Sequence, residues 1–258
     1  RHGGNGPRQD ETLTGPNGTS NPRDLLMSLD FLHYLSSPAF IFSWYGFGAV
    51  AAVWILYDTF TANRHVMPAL KAGWPIIGLF FSVIGLALYL TSCRPPGIGQ
   101  KRGEEAKQTH SAFVADRWKK VLGSDIHCVA SDGLGIISAM VVTRWLGLSF
   151  WPEFWIEYAV GFLFGWFIFQ FGSLRAMGTP AKTALWNGGR AEFFSMITVM
   201  LGMGLVMRYV TPAVAGSPPP PNTAAFCGIA ALGLLAGAIL TYPMNWWMVA
   251  IGWKHGMG

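Results

Sequence analysis

His127, Cys128 and Asp132 stand at the head of the apolar run His127-Cys-Val-Ala-Ser-Asp-Gly-Leu-Gly-Ile-Ile. In a helix Cys128 and Asp132 share a face, with His127 on the neighbouring stripe. Imidazole, thiol and carboxylate together can ligate a soft or borderline metal. An ionisable group inside a membrane helix costs about 2.5–3.5 kcal/mol on insertion scales, so it calls for a partner or a function. A second pattern follows in Glu192, Met196, Met200, Met203 and Met207, spaced 4, 4, 3 and 4, which puts all five on one helical face. Thioethers, a thiolate and an imidazole suit Cu(I), so the two patterns predict a copper site at His127, Cys128 and Asp132, with Glu192 and the methionines as a path. A structural reading of the same residues is available. Methionine packs adaptably between helices, and Asp132 and Asn245 can form a polar clasp beside Pro243, which frees a helical carbonyl. Gly161 with Gly165, and Gly233 with Gly237, supply small-residue ridges for close packing around that clasp.

These residues need a membrane helix bundle to hold them. The chain is 52% hydrophobic and 12% charged, against about 25% charged in a soluble domain. Its mean hydropathy is +0.36. Six apolar blocks are long enough to cross about 30 Å of hydrocarbon: Pro38–Phe60, Trp74–Ser92, Cys128–Leu148, Phe154–Phe171, Phe193–Val210 and Ala224–Ile251. Trp74, Trp145, Trp151, Trp155, Trp186, Trp246, Trp247 and Trp253 fall near their ends, where amphipathic rings favour the interface. The expected fold is therefore all-α, a polytopic bundle of about six transmembrane helices. With six straight crossings, Lys and Arg concentrate on the side carrying both termini, which places both in the cytoplasm of a multi-pass plasma-membrane protein. The net charge of +5 reflects that bias and not nucleic-acid binding.

The expected organisation is a polar tail with a short interfacial helix over 1–36, two transmembrane helices over 37–93, a basic cytoplasmic loop over 94–126, and a four-helix membrane domain over 127–258. The tail, rich in Gly, Asn, Pro and Thr, lacks the apolar residues needed for a core. Pro218 to Pro221 form a stiff extended connector. Three cysteines, Cys93, Cys128 and Cys227, do not make a disulfide framework. No phosphate-binding Gly-Lys-Ser/Thr loop, Gly-x-Ser-x-Gly elbow or His-Glu-x-x-His is present. With one histidine well placed at a span, a two-haem cytochrome is excluded, whereas a single bound pigment or lipid is not.

Four segments carry a family resemblance: His127-Cys-Val-Ala-Ser-Asp132-Gly-Leu-Gly135, Gly161-Phe-Leu-Phe-Gly165, Ser195-Met-x-x-Val-Met200 and Tyr242-Pro-Met-Asn-Trp-Trp247. Over about Asp125 to Gly256 the chain resembles an integral-membrane family of bacteria and archaea, domain of unknown function 4396. The resemblance implies a helical membrane domain in which the third and sixth spans meet, and it supplies no activity. The expectation for function is a non-catalytic accessory or structural subunit of a larger membrane complex, in contact with lipid and other membrane subunits. The alternative is copper binding or transport. An enzyme is disfavoured because no nucleophile, base and orienting group can be assembled.

Overall fold

The computed structural model describes Tyr34 and residues 37–258; the expected polar tail and interfacial helix lie outside the described residues. Among the described residues the chain is helical, with no strand. The elements are α1 (Pro38–Phe60), α2 (Pro68–Ser92), α3 (Gly103–Phe113), α4 (Arg117–Trp145), α5 (Phe150–Ala176), α6 (Ala181–Ala215) and α7 (Ala224–Ala250). All but α3 are long and apolar enough to cross a membrane. Local chemistry sets their starts. Pro38 occupies the first turn of α1, and Ser37 caps it by accepting from the Phe40 amide at 3.3 Å. Thr223 caps α7 in the same way through Phe226.

α4 is the axle of the bundle. Its apolar stretch is 72% buried, against 22% for α1 and for α5, which turn most of their surface outward. α6 and α7 come together most closely where Gly202 meets the backbone of Gly237, leaving no room for a Cβ. π-helical turns interrupt α5 at Phe164–Gln170 and α6 at Val206–Val210.

α2 does not run straight. At Ser82 the backbone takes φ 52° and ψ −125°, and the chain folds back on itself. Gly85 packs against the carbonyl of Ile77, and the rings of Trp74 and Tyr89 lie 5.5 Å apart. In a straight helix those two residues would be separated by about 22 Å. Residues 68–81 and 83–92 are thus the two arms of a helical hairpin. The first arm runs antiparallel to α1, with Gly48 against Leu79 and Lys71 over the Phe60 ring. The second runs parallel to it, with Trp54 against Tyr89. A polar knot closes the open end: Tyr89 donates to Asp58 at 2.7 Å, Arg94 pairs with Asp58 at 3.0 Å, and Asn63 donates to the Cys93 carbonyl. Burial pushes the Cys93 thiol beside this knot up to about 12.

The hairpin therefore begins and finishes at one end of the bundle, here called basal. Leu70 packs there against Gly123 near the start of α4. The start of α1 lies at the opposite, distal end, where Tyr45 donates to the Cys227 carbonyl at 3.0 Å beside the start of α7. The end of α7 is basal. An even number of straight crossings would have put the start of α1 and the end of the chain together; the reversal at Ser82 separates them.

The expected loop over 94–126 is largely helical. It holds α3 and the first turns of α4, which starts at Arg117, ten residues before the expected start of the membrane domain. The reason is a cover supplied from afar. Beyond α7 the chain turns at Gly252, whose φ of 72° favours glycine, and doubles back along the start of α4. The Met257 amide donates to the Lys120 carbonyl at 3.0 Å, and Ser124 donates to the His255 carbonyl at 2.7 Å.

Two expectations follow. A thiol placed at Arg64 and one placed at Gln100 should both react with a membrane-impermeant reagent from the face that carries the C-terminus; labelling from opposite faces would mean that α2 crosses straight. The second concerns His110, buried in α3, whose imidazole is held below its ordinary value of 6.5 by burial, then by the neighbouring His65. The stability it contributes is complete above pH 6.5 and is lost as pH falls through the depressed folded value. Hydrogen exchange of residues 103–113 should accelerate on mild acidification in the native protein, and His110→Gln should flatten that dependence.

Candidate functional site

Four helices meet in a wholly buried polar cluster in the basal half of the bundle. α4 supplies Asp125, Cys128, Ser131 and Asp132 from one face; α5 supplies Gln170, α6 Glu192 and Ser195, and α7 Asn245. The ninth residue is Lys254, carried back under α7 by the turn at Gly252. Its ammonium donates to Cys128 Sγ at 2.7 Å, Asn245 Oδ1 at 2.7 Å and Ser195 Oγ at 3.0 Å. Asn245 passes the interaction on, donating through Nδ2 to Asp125 Oδ1 at 2.7 Å. Cys128 Sγ also accepts from Gln170 Nε2 at 3.1 Å and faces Glu192 Oε2 at 3.9 Å.

Beyond the thiol the cluster ends in a carboxyl pair. Asp132 and Glu192 close around Gly165, and a Cβ built there would overlap an oxygen of each. The π-helical turn of α5 carries both this glycine and Gln170, so the irregular turn is what presents an open notch and an amide donor to the acids. Asp132 Oδ1 accepts from Ser131 at 3.2 Å. Asp132 Oδ2 and Glu192 Oε1, both buried, have no hydrogen-bond partner among the described residues. The charge count is uneven: Asp125, Asp132, Glu192 and the Cys128 thiol gather around one ammonium. Arg190, the nearest other cation in sequence, stacks on Trp253 at 4.3 Å. Full ionisation would strand negative charge in a low-dielectric interior at a cost of several kcal/mol per ion, so bound protons or a bound cation must balance it.

The structure brings together Cys128, Asp132 and Glu192 of the expected ligand set, and Asn245 of the expected clasp. His127 goes elsewhere: its Nε2 meets Ser173 Oγ at 3.1 Å and its ring packs edge-on to Phe169. Its Nδ1 has no partner among the described residues, so the Ser173–His127 pair lacks the third, orienting group of a catalytic triad. Met196, Met200, Met203 and Met207 climb distally from Glu192 inside the apolar core, beside Val199, Phe226 and Leu234. Among the described residues no three His, Cys, Asp or Glu side chains are arranged to hold a metal ion. Gly161 lies against Ile136 and Met196, Gly233 against Met203, and Gly237 against Val199. Pro243 sits within an α7 that stays helical from 224 to 250. A cavity of about 170 Å³ at the distal end, lined by Phe40, Trp44, Phe80, Phe81, Val214 and Leu232, is predominantly apolar and separate from the cluster.

Asp125 and Lys254 did not stand out in the sequence; Gln170 reads there as an interhelical hydrogen-bond group, and Ser195 enters only through the family segment that it opens. Asp125 and Lys254 flank apolar runs and read as boundary residues. The one available signal is Gly252 after the last apolar residue, a helix-ending glycine that turns the following Lys inward.

The domain family described as "Domain of unknown function (DUF4396)" matches residues 117–254, more than half of the chain, and the chain belongs to that family. The match spans every residue of the cluster, from Asp125 to Lys254, and leaves α1, α2 and α3 outside. No curated protein and no solved structure matches the chain.

Lys254→Met should lower stability by on the order of 3–5 kcal/mol, because removing one partner leaves its buried counterparts uncompensated. Gly165→Ala should cost about 1–3 kcal/mol through overlap with both carboxyls. Unfolding in mild detergent reads both; a change below about 1 kcal/mol for Lys254→Met, the size of an exposed pair, would mean that the ammonium does not organise the cluster.

Proposed function

We propose that this DUF4396 chain is a non-catalytic membrane protein that binds and releases protons at Asp132 and Glu192, as a carrier or as the proton-binding subunit of a larger membrane complex. One observation carries the reading: two wholly buried carboxyls, each with an oxygen lacking a partner, share one notch at membrane depth beside a single ammonium. A proton shared between the two neighbouring carboxyls would close those open oxygens, and a buried group left unsatisfied costs about 1–3 kcal/mol. Ionisable groups held inside a bundle at such a cost mark ion and proton pathways. Lys254, Cys128 and Asn245 link the pair towards the basal end through Asp125, giving a chain of exchangeable protons in that direction.

Sidedness follows from charge. Of the 15 Lys and Arg beyond residue 36, 13 belong to the basal end, and only Arg144 and Arg208 are distal. The positive-inside rule then makes the basal end cytoplasmic and puts the start of α1 on the opposite side. Soft-metal transport has less support, because Lys254 takes the Cys128 sulfur and His127 is engaged with Ser173.

Infrared difference spectroscopy of the protein in lipid, as pH is stepped through neutrality, tests the reading. The expected result is a protonated-carboxyl band that changes with pH and is removed by Asp132→Asn or Glu192→Gln. A spectrum identical in wild type and both variants would overturn it.

A further inference from the structure

A second buried acid cluster lies at the distal end of the same two helices, α4 and α5. Arg144, in the last turn of α4, pairs through Nε with Glu153 Oε1, in the first turn of α5. Glu157 lies four residues after Glu153 on the same face. It is fully buried, accepts from Thr143 Oγ1 at 3.4 Å and lies against the Glu153 carboxyl. Its Oε2 has no partner among the described residues, and neither has Nη1 of Arg144, whose side chain is 7% exposed. One guanidinium thus faces two carboxyls, with one donor and one acceptor left open. The Arg144–Glu153 pair suffices to clasp the α4–α5 turn. Glu157 adds a second acid beside Glu153, one more than a single guanidinium can balance.

Its position gives it a use. Thr143 lies eleven residues beyond Asp132 on α4, about 16 Å along the axis, and Gly165 lies eight residues beyond Glu157 on α5, about 12 Å. The two acid clusters are therefore stacked along one helix pair. The layer between them, about 12–16 Å along the helix axes, is apolar. Gly161 leaves a gap there that Ile136 and the terminal methyl of Met196 fill. Methionine is the side chain best able to swing out of such a gap and back.

We propose that Glu157 is a second proton-exchange site, on the distal side of the bundle and in series with Asp132 and Glu192, so that the chain carries protons across the membrane through a gate at Ile136, Gly161 and Met196. This rests on the proton-binding reading of the basal cluster. In the transfer step the Glu157 carboxyl gives its proton to a chain of waters admitted when Met196 swings out, becoming a carboxylate, and an ionised member of the Asp132–Glu192 pair takes a proton up from the other end of that chain. Arg144 stabilises the carboxylate left behind.

The experiment is proton flux into vesicles holding an entrapped pH dye and the full-length protein, under an imposed pH gradient and with potassium and valinomycin to clamp the potential. Wild type should acidify the lumen faster than protein-free vesicles. Glu157→Gln should cut that excess by about tenfold or more, as loss of a proton-transferring group does, while Glu157→Asp, which keeps an exchangeable proton, retains a substantial part. Thermal unfolding and the pH-dependent infrared band of Asp132 and Glu192 are recorded on the same samples. An intact band with flux lost only in Glu157→Gln supports the distal site. Wild-type flux in Glu157→Gln, or no flux above protein-free vesicles in wild type, overturns it even where the band persists. Absence of the band overturns the basal reading itself.

Discussion

An ammonium buried in the protein interior is the constraint around which this bundle is arranged. Lys254 cannot be solvated there, and each of its three contacts comes from a different helix: Cys128 on α4, Ser195 on α6 and Asn245 on α7. A charged-group hydrogen bond contributes about 1.5–3 kcal/mol where a neutral one contributes about 1. The three therefore fix the relative rotation of these helices more tightly than apolar packing does. The chain pays for that placement with a segment that leaves α7, turns at Gly252 and seals the start of α4. Once sealed, the first turns of α4 become interior, which is why Asp125 and Ser124 are buried in a stretch of sequence that is not apolar.

The same constraint accounts for the acids. A buried ammonium invites a counter-charge, and the fold supplies more acidic groups than one cation can balance. The surplus sits in the notch left by Gly165, opposite the thiol. Distally, Arg144 repeats the pattern on a smaller scale with Glu153 and Glu157. Between the two lies the methionine and glycine packing of α4, α5 and α6. In the fold the methionines lie in the apolar core beside Val199, Phe226 and Leu234.

Much of this architecture was legible in the sequence. The apolar blocks and the interfacial Trp locate all six long helices, although α4 and α6 begin 11 and 12 residues before their apolar blocks. Cys128, Asp132, Glu192 and Asn245 were identified by the cost of their types at membrane depth, and the structure does gather them. Two things were hidden. The reversal at Ser82 is invisible because Leu79-Phe-Phe-Ser-Val-Ile is as apolar as any straight span. A membrane rewards an apolar hairpin as readily as an apolar crossing, provided the irregular backbone at its tip is buried in protein, as Ser82 is. Lys254 was hidden for the opposite reason: a lysine after the last apolar residue reads as a snorkelling end residue, and only the tertiary fold shows the chain turning back. His127 illustrates the limit of spacing. It neighbours Cys128 in sequence, but the 100° step between adjacent helical residues points it at Ser173 on α5.

The central claim is that the Asp132–Glu192 pair holds a proton beside a charged Lys254. Solid-state NMR of the protein in lipid, labelled with ¹³C at Asp and Glu and ¹⁵N at Lys, reads those charge states directly at neutral pH. A neutral carboxyl resonance that disappears in Asp132→Asn or Glu192→Gln is expected, together with a Lys254 Nζ shift in the ammonium range. Fully ionised carboxylates at both positions, or a neutral amine at Lys254, would contradict it.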